Sequence, residues 1–387
     1  MDIITEYIER LQAPLIRMSE YCLEEPVSGK LEQLVLLLCT VDIPRYVSSP
    51  YSQHMGRKLI DRRCIARAFL AKAVFGFTTT EMLIEHLRLN RSLRLLCGFE
   101  SFKSVPSAPT FSRAFRDFAA MKLGDSAHAD LVGTYVGDKI VMHLSRDSTS
   151  VEAREKPVSK VNSTDKCVAT DTKAKTEQLA EPQVEVVSAK RKRGRPRKGE
   201  VVPPKEPTRL ERQFTQTLEE SLKELPKVCN YGSKNDSKGN PHRWIGWKAH
   251  IDWADGNIPL SVVTTSASCH DSQVAIPLMR MTSTRCHNLY DLMDAAYDAS
   301  LITRASEELG HVPIIDQNRR KGEPKPVAPC HLERYKQRST AERGNSRLKD
   351  EYGLRNLRVR GHAKAHMHIM FGVLALFVDQ LNKVFRC

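Results

Sequence analysis

The sequence predicts an α/β chain in two parts: an all-α N-terminal domain over residues 1–135, and a domain over 136–387 built on a mixed five-stranded sheet flanked by helices. Three observations carry this reading. Apolar residues between 59 and 119 recur at helical spacing. Short apolar runs of strand length begin at Lys139 and then alternate with helical segments. A polar insertion at about 152–242 separates the first run from the second.

In the N-terminal part, Ile65 and Phe69 with Leu70 mark one helix, and Met82, Leu83 and Leu87 mark another after a Thr78-Thr79-Thr80 cap. A third starts near Ser107, with Pro109 in its first turn and Phe111, Phe115, Phe118 and Ala119 on one face. Short Arg-bearing helices suit a DNA-binding module; an ordinary helical subdomain that touches no DNA is the alternative.

The run Lys139-Ile-Val-Met-His-Leu-Ser-Arg-Asp147 has the length and apolarity of a buried strand, with Asp147 at its end. From 148 to 241 the composition turns to Lys, Glu, Thr, Pro and Val, too poor in large apolar groups to order throughout, and reads as a basic, partly flexible insertion. Inside it, Arg193 and Arg197 flank a Gly-Arg-Pro centre, whose arginine is Arg195, that can lie extended in an A·T-rich minor groove. That run, Lys190 to Lys198, resembles an AT-hook, and a solvated basic linker is the plainer reading. Strands at 244–252 and 258–265 flank the hairpin signal Ala254-Asp-Gly-Asn257. A helix at 273–281, a strand at 287–294 ending in Asp294, a helix at 300–309 capped by Gly310 and a fifth strand at 312–316 follow. A helix at 333–352 and a final apolar helix at 362–385, packed on the sheet, complete the chain.

A formal charge of +14 and a pI near 9.3 favour a polyanionic partner such as nucleic acid. The ten cysteines include no C-x-x-C pair, so they suit neither a zinc site nor a disulfide framework and read as reduced cytosolic thiols. Residues 1–15 carry charges throughout, unlike a signal peptide, and the longest apolar run, 369–378, is about half of what a membrane span needs.

For such a partner the acids matter most. Phosphodiester cleavage needs an activated oxygen nucleophile and a stabilised leaving oxygen, which two Mg²⁺ ions about 3.5–4 Å apart supply together. Mg²⁺ prefers oxygen ligands, so a few carboxylates from separate elements suffice. Asp147 and Asp294 each end a strand-like run. On the last helix but one, at about 100° per residue, Tyr335, Arg338, Glu342 and Lys349 fall within about 60° of one another, with Ala341 and Leu348 to one side for packing. Arg338 and Lys349 then have the chemistry to grip phosphates while Glu342 binds metal. Glu152, Asp271 and Asp298 are rival acids, Asp271 equally a helix cap. His362, His366 and His368 read as packed or solvent-facing, and Trp244 and Trp247 as packed unless they stack a displaced base.

Taken together, these residues resemble the DDE transposases of bacterial insertion sequences, the cut-and-paste group with an RNase H-like catalytic core. The pattern Tyr-x2-Arg-x3-Glu-x6-Lys is matched in full by Tyr335, Arg338, Glu342 and Lys349; Asp294-Ala-Ala-Tyr297 is similar to the second-acid motif with one small residue added, and Arg146-Asp147-Ser148-Thr149 to the first. The resemblance implies catalytic and metal-binding roles for Asp147, Asp294 and Glu342, two Mg²⁺ or Mn²⁺ ions, and contacts from Tyr335, Arg338 and Lys349 to DNA phosphates. It also implies double-stranded DNA partners, namely the terminal inverted repeats and the target, a homodimer on DNA, and a place in the bacterial cytoplasm at the nucleoid. Rival functions are a DNA-binding protein that keeps the fold without activity, and a metal nuclease that cuts but never joins.

Overall fold

The computed structural model describes residues 29–47, 60–157, 206–235, 239–318 and 326–386; apart from 206–208, these belong to one packed unit. Six N-terminal helices are described: α1 (Gly29–Val41), α2 (Arg62–Phe75), α3 (Thr80–Leu89), α4 (Arg91–Leu96), α5 (Ala108–Ala120) and α6 (Leu123–Tyr135). Their starts follow capping chemistry. Asp61 accepts the Arg63 N–H at 2.9 Å, Thr79 accepts the Met82 N–H at 3.1 Å, and α5 has Pro109 in its first turn. Phe111, Phe115 and Phe118 form the buried face of α5 around Phe69, as their spacing predicts. Met82 departs from its expected place: it is 38% exposed, while Leu83 and Leu87 carry the buried face of α3. Helices α1 and α6 lie outside the segments that the apolar spacing predicts. In α1 the continuous run Leu34-Val-Leu-Leu37 is buried on all sides and so shows no periodicity.

The sheet has six strands: β1 (Ile140–Glu152), β2 (Asn230–Asn235), β3 (Pro241–Ala254), β4 (Ile258–Ser266), β5 (His287–Met293) and β6 (Val312–Ile315). Their order is β2-β3-β1-β5-β6, with β4 also paired to β3. β3 is antiparallel to β1, β2 and β4, while β5 runs parallel to β1 and β6, which makes the sheet mixed as expected. The β3–β4 hairpin turns at Gly256 and Asn257, both at positive φ. Gly246 marks the point on β3 where pairing to β2 gives way to pairing to β1. A Cβ there would meet the Val151 carbonyl oxygen at 2.2 Å.

Two expectations need correction. The sixth strand, β2, lies inside the expected insertion, as do helices α7 (Arg209–Thr215) and α8 (Leu218–Glu224), and β1 itself continues five residues past Asp147. Averaged composition hides local signals. Thr217 and Glu220 form a reciprocal capping box that starts α8, and Leu210 and Phe214 pack against the cluster around Met279 and Ile302. The Lys190–Lys198 run, with Arg193, Arg195 and Arg197, lies outside the described residues.

Helix α9 (Ser272–Ser283) and helix α10 (Ser300–Glu308) flank the sheet, and Gly310 follows α10 at φ 82°, where its N–H is bonded to the Glu307 carbonyl. Helices α11 (Pro329–Tyr335) and α12 (Ser339–Asp350) lead to α13 (His362–Arg386). By length and composition α13 could cross a membrane, but most of it is buried in protein: it packs on β4 on one side and on α2, α5 and α6 on the other. Phe371 of α13 stacks on Phe69, joining the helical region and the sheet in one core. His362, His366 and His368 are packed here, against the Thr264 carbonyl, Asp125 and the Gly353 carbonyl respectively.

Beneath one end of the sheet a charge is fully buried. Arg146 of β1 donates to both oxygens of Asp252 on β3 at 2.8 Å and lies 3.9 Å from Asp291 on β5. Thr282 donates to Asp252, while Ser306 and Asn288 donate to Asp291, with His311 Nδ1 at 3.1 Å. Burial works against the charge on Arg146, and the two carboxylates outweigh it, holding its pKa above the ordinary arginine value. Removing the cation alone leaves two carboxylates buried without their counter-ion. Arg146→Met is therefore expected to destabilise the fold by about 3–5 kcal/mol, whereas Lys336→Ala, which breaks an exposed i,i+3 pair with Glu333, changes it by no more than about 0.5 kcal/mol. Chemical denaturation of the two variants measures both.

Candidate active site

The parallel register sets the first two acids side by side. The last paired rung of β1 and β5 is Ser145 opposite Leu292, so Asp147 and Asp294 each stand two residues beyond it. With a side-chain period of two, both project from the same face, level with one another. Asp147 is not at a strand end as expected; β1 runs on against β3, and what ends at Ser145 is the β5 partner. Asp294 directly follows β5, where one carboxylate oxygen accepts the Ala296 N–H at 3.0 Å and caps a short 3-10 turn.

The third acid comes from α12. The expected single helix at 333–352 is broken: it begins at Pro329, tightens into a 3-10 turn over Lys336–Arg338, and resumes as α12. Tyr335 thus ends one helix and Glu342 lies in the first turn of the next, so one helical wheel does not relate them. Ala341 and Leu348 are buried as their spacing predicts. Gly344 decides how close α12 comes, since a Cβ there would meet the Trp253 ring of β3 at 2.5 Å.

All three acids converge on one guanidinium. Arg338 Nη2 is 3.7 Å from Asp147 and 3.4 Å from Asp294, and Nη1 is 3.0 Å from Glu342. Burial works against the charge on Arg338, and Asp147 leads the groups that hold its pKa above the ordinary value. Glu342 is the open member, its side chain 63% exposed against 9% for Asp147. Burial raises the Asp147 pKa, in spite of Lys234 and Arg338 nearby.

Asn345, one turn after Glu342, is a site residue that the four-residue pattern passes over. It is buried, its Nδ2 donates to Asp147 at 3.0 Å, and its Oδ1 is buried with no hydrogen-bond partner. Its i+3 relation to Glu342 is the available signal. Lys349 donates to Ser150 at 3.2 Å and, with Lys234, Lys248 and Trp244, lines a cavity of about 160 Å³ that opens beside Asp147. Tyr335 is half-buried, and burial pushes its phenol up to about 12.

The rival acids have other duties. Asp271 accepts Lys248 Nζ at 2.9 Å, although it stands at the N-cap of α9 without capping it; Asp298 accepts the Asn318 N–H; and Glu152 is exposed at the end of β1. Trp244 and Trp247 are buried and packed.

Among the described residues no three carboxylate, imidazole or thiol groups stand ready to share a metal ion, because Arg338 lies between the three acids. The donor set nevertheless fits a hard divalent cation: three carboxylates from separate elements and the unsatisfied carbonyl oxygen of Asn345.

A mixed sheet of this order, flanked by helices, is the RNase H-like fold of DDE domains. The family described as "Transposase DDE domain" matches residues 201–378, and that described as "Transposase domain (DUF772)" matches residues 24–117. No curated protein and no solved structure matches the chain. The chain belongs to the DDE transposases of insertion sequences, a family that uses divalent metal ions.

The raised Asp147 pKa has a signed consequence for stability. In the folded state the ionised carboxylate is penalised, a cost that is absent below the unfolded value of about 4 and is fully present above the folded value. Asp147→Asn should therefore raise the melting temperature of the metal-free protein at pH 7, with a gain that shrinks as pH falls through the carboxylate range. Melting curves at pH 7 and pH 4 test it; a gain that grew toward acid would contradict the assignment.

Proposed function

We propose that this transposase binds the terminal repeats of its element as double-stranded DNA, cleaves a phosphodiester bond there and joins the freed 3′-hydroxyl to target DNA, with Asp147, Asp294 and Glu342 as the catalytic acids. The observation that carries this is the convergence of those three carboxylates, from β1, the end of β5 and α12, on the single Arg338 guanidinium. Carboxylates held this close repel one another unless a cation lies between them, and here a side chain supplies it. Two Mg²⁺ or Mn²⁺ ions held by the same acids would supply an activated water or hydroxyl nucleophile and charge stabilisation at the leaving oxygen.

The chain's own residues divide the remaining work. Asp147, buried and held by Asn345, keeps a fixed position, whereas the exposed Glu342 is the ligand free to adjust. Arg338 is the group that yields its place, and its planar fork then suits a DNA phosphate. Lys349 and Tyr335 take neighbouring phosphates, Lys349 beside the cavity at Asp147 and Tyr335 from the far side of the 3-10 turn.

The test incubates the full chain with Mg²⁺ and DNA carrying the element's ends. Wild type is expected to nick at the end and give a strand-transfer product. Asp147→Asn, Asp294→Asn and Glu342→Gln should each reduce both to background while leaving DNA binding in place, and chelation by EDTA should do the same to wild type. Full cleavage by any of the three folded variants would sink the assignment, and nicking without joining would select the nuclease reading. Asn345→Ala is expected to weaken Mn²⁺ binding about 10- to 100-fold, read by calorimetry.

A further inference from the structure

A second basic site lies away from the acids. A cleft of about 530 Å³ opens between α2, the start of α3, the residues that follow β1 and the segment that enters α13. Five cations line it: Lys72, Arg154, Arg358, Arg360 and Lys364, against one acid, Glu81. Elsewhere the cations that are withdrawn from water have partners: Arg146 has Asp252, Lys248 has Asp271, Arg347 has Glu351 and Asp379, and Arg285 has the Leu260 carbonyl. Among the described residues, none of the five cations of the cleft forms an ion pair or a hydrogen bond. Burial pushes the Lys72 ammonium down to about 8, Arg358 adds to the effect, and Glu81 only partly opposes it. Like charges gathered in a recess without counter-ions are costly in the free protein and are relieved by a bound polyanion.

The position of the cleft says which polyanion. β1 leads from Asp147 to it: Ala153 still bonds to Ile245 at 2.8 Å, and Arg154 is the next residue. At about 3.3 Å per residue, Arg154 lies roughly 23 Å along the strand from Asp147, the length of about seven base pairs of duplex at 3.4 Å each. Lys349 sits part-way along the same strand, on Ser150. The cations thus trace a line that leaves the acids, and a duplex seated at the acids would follow it. The N-terminus of α3, at Thr79 and Thr80 on the cleft wall, adds the positive end of a helix dipole.

We propose that this cleft is a second phosphodiester-binding site, which grips the backbone of duplex DNA about seven base pairs from the bond that reacts at the acids. Its position relative to the reacting bond rests on the catalytic assignment above; its grip on duplex DNA does not. Binding of the full chain to a 30-base-pair duplex of arbitrary sequence, in EDTA and over a range of NaCl concentrations, tests it by fluorescence anisotropy. The triple variant Arg358→Ala, Arg360→Ala, Lys364→Ala should flatten the slope of log K against log salt by roughly two to three, at about 0.9 for each phosphate no longer neutralised, and bind at least about tenfold more weakly near 0.1 M salt. Arg154→Ala, an exposed member of the lining just after β1, should flatten it by about one. Arg358→Lys with Arg360→Lys should keep the wild-type slope, since a point charge suffices to neutralise a phosphate without reading sequence. An unchanged slope in both the triple variant and Arg154→Ala overturns the proposal. Saturable binding of inorganic phosphate that the triple variant abolishes, with the DNA slope unchanged, also overturns it and assigns the cleft to a free anion. Should Asp147→Asn retain metal-dependent nicking while the triple variant flattens the salt slope, the catalytic assignment fails and the DNA-binding cleft stands.

Discussion

The buried Arg146 with Asp252 and Asp291 is the interaction on which the rest of the sheet depends. It joins the three central strands at one level, one residue before Asp147 and three before Asp294. A fully buried charge is tolerated where counter-charges and hydrogen bonds surround it, and here Thr282 of α9, Ser306 of α10, Asn288 and His311 hold the two carboxylates in place. A one-residue slip of β1 against β3 or β5 would strand the guanidinium and turn Asp147 to the other face. The same ion pair that costs desolvation energy therefore specifies the register, and the register places the acids.

Arg338 repeats the logic at the surface. Each of the two arginines neutralises carboxylates from different elements, but Arg146 is sealed between Asp252 and Asp291, whereas Arg338 faces an exposed Glu342, and Asn345, bonded to the same Asp147, keeps a buried carboxamide oxygen with no partner. The first arrangement suits permanence. The second leaves unsatisfied groups next to a solvent-accessible cavity, and such groups lower the cost of exchanging one cation for another.

The elements legible along the chain are those with local signals. The hairpin at Asp255-Gly-Asn257, the Phe face of α5, the Thr79 cap and the Gly310 stop each depend on neighbours within a few residues. Expectation and structure part where the deciding partner is distant. The apolar run of β1 ends at Asp147 because Ser148, Thr149 and Ser150 open a polar stretch that is extended only by pairing with β3, and β2, with its Gly, Ser and Lys, owes its extension to the same partner. The break between α11 and α12 has no proline or glycine to announce it. Gly344 is silent, and Asn345 has only its i+3 spacing from Glu342, because a glycine and an amide on a polar helix face take their roles only when Trp253 and Asp147 stand opposite them.

The sequence by itself determined the mixed α/β class, the basic charge, and the Tyr-Arg-Glu-Lys pattern with one acid in a strand-like run and another at the end of a second, because these are carried by residue type and short spacing. Only the tertiary structure decided that Asp147 and Asp294 stand level, that α12 approaches within reach of them, and that Arg338 lies between the three carboxylates. Those are consequences of register and of close packing at Gly344, which join residues up to about two hundred positions apart and leave no trace in any local window.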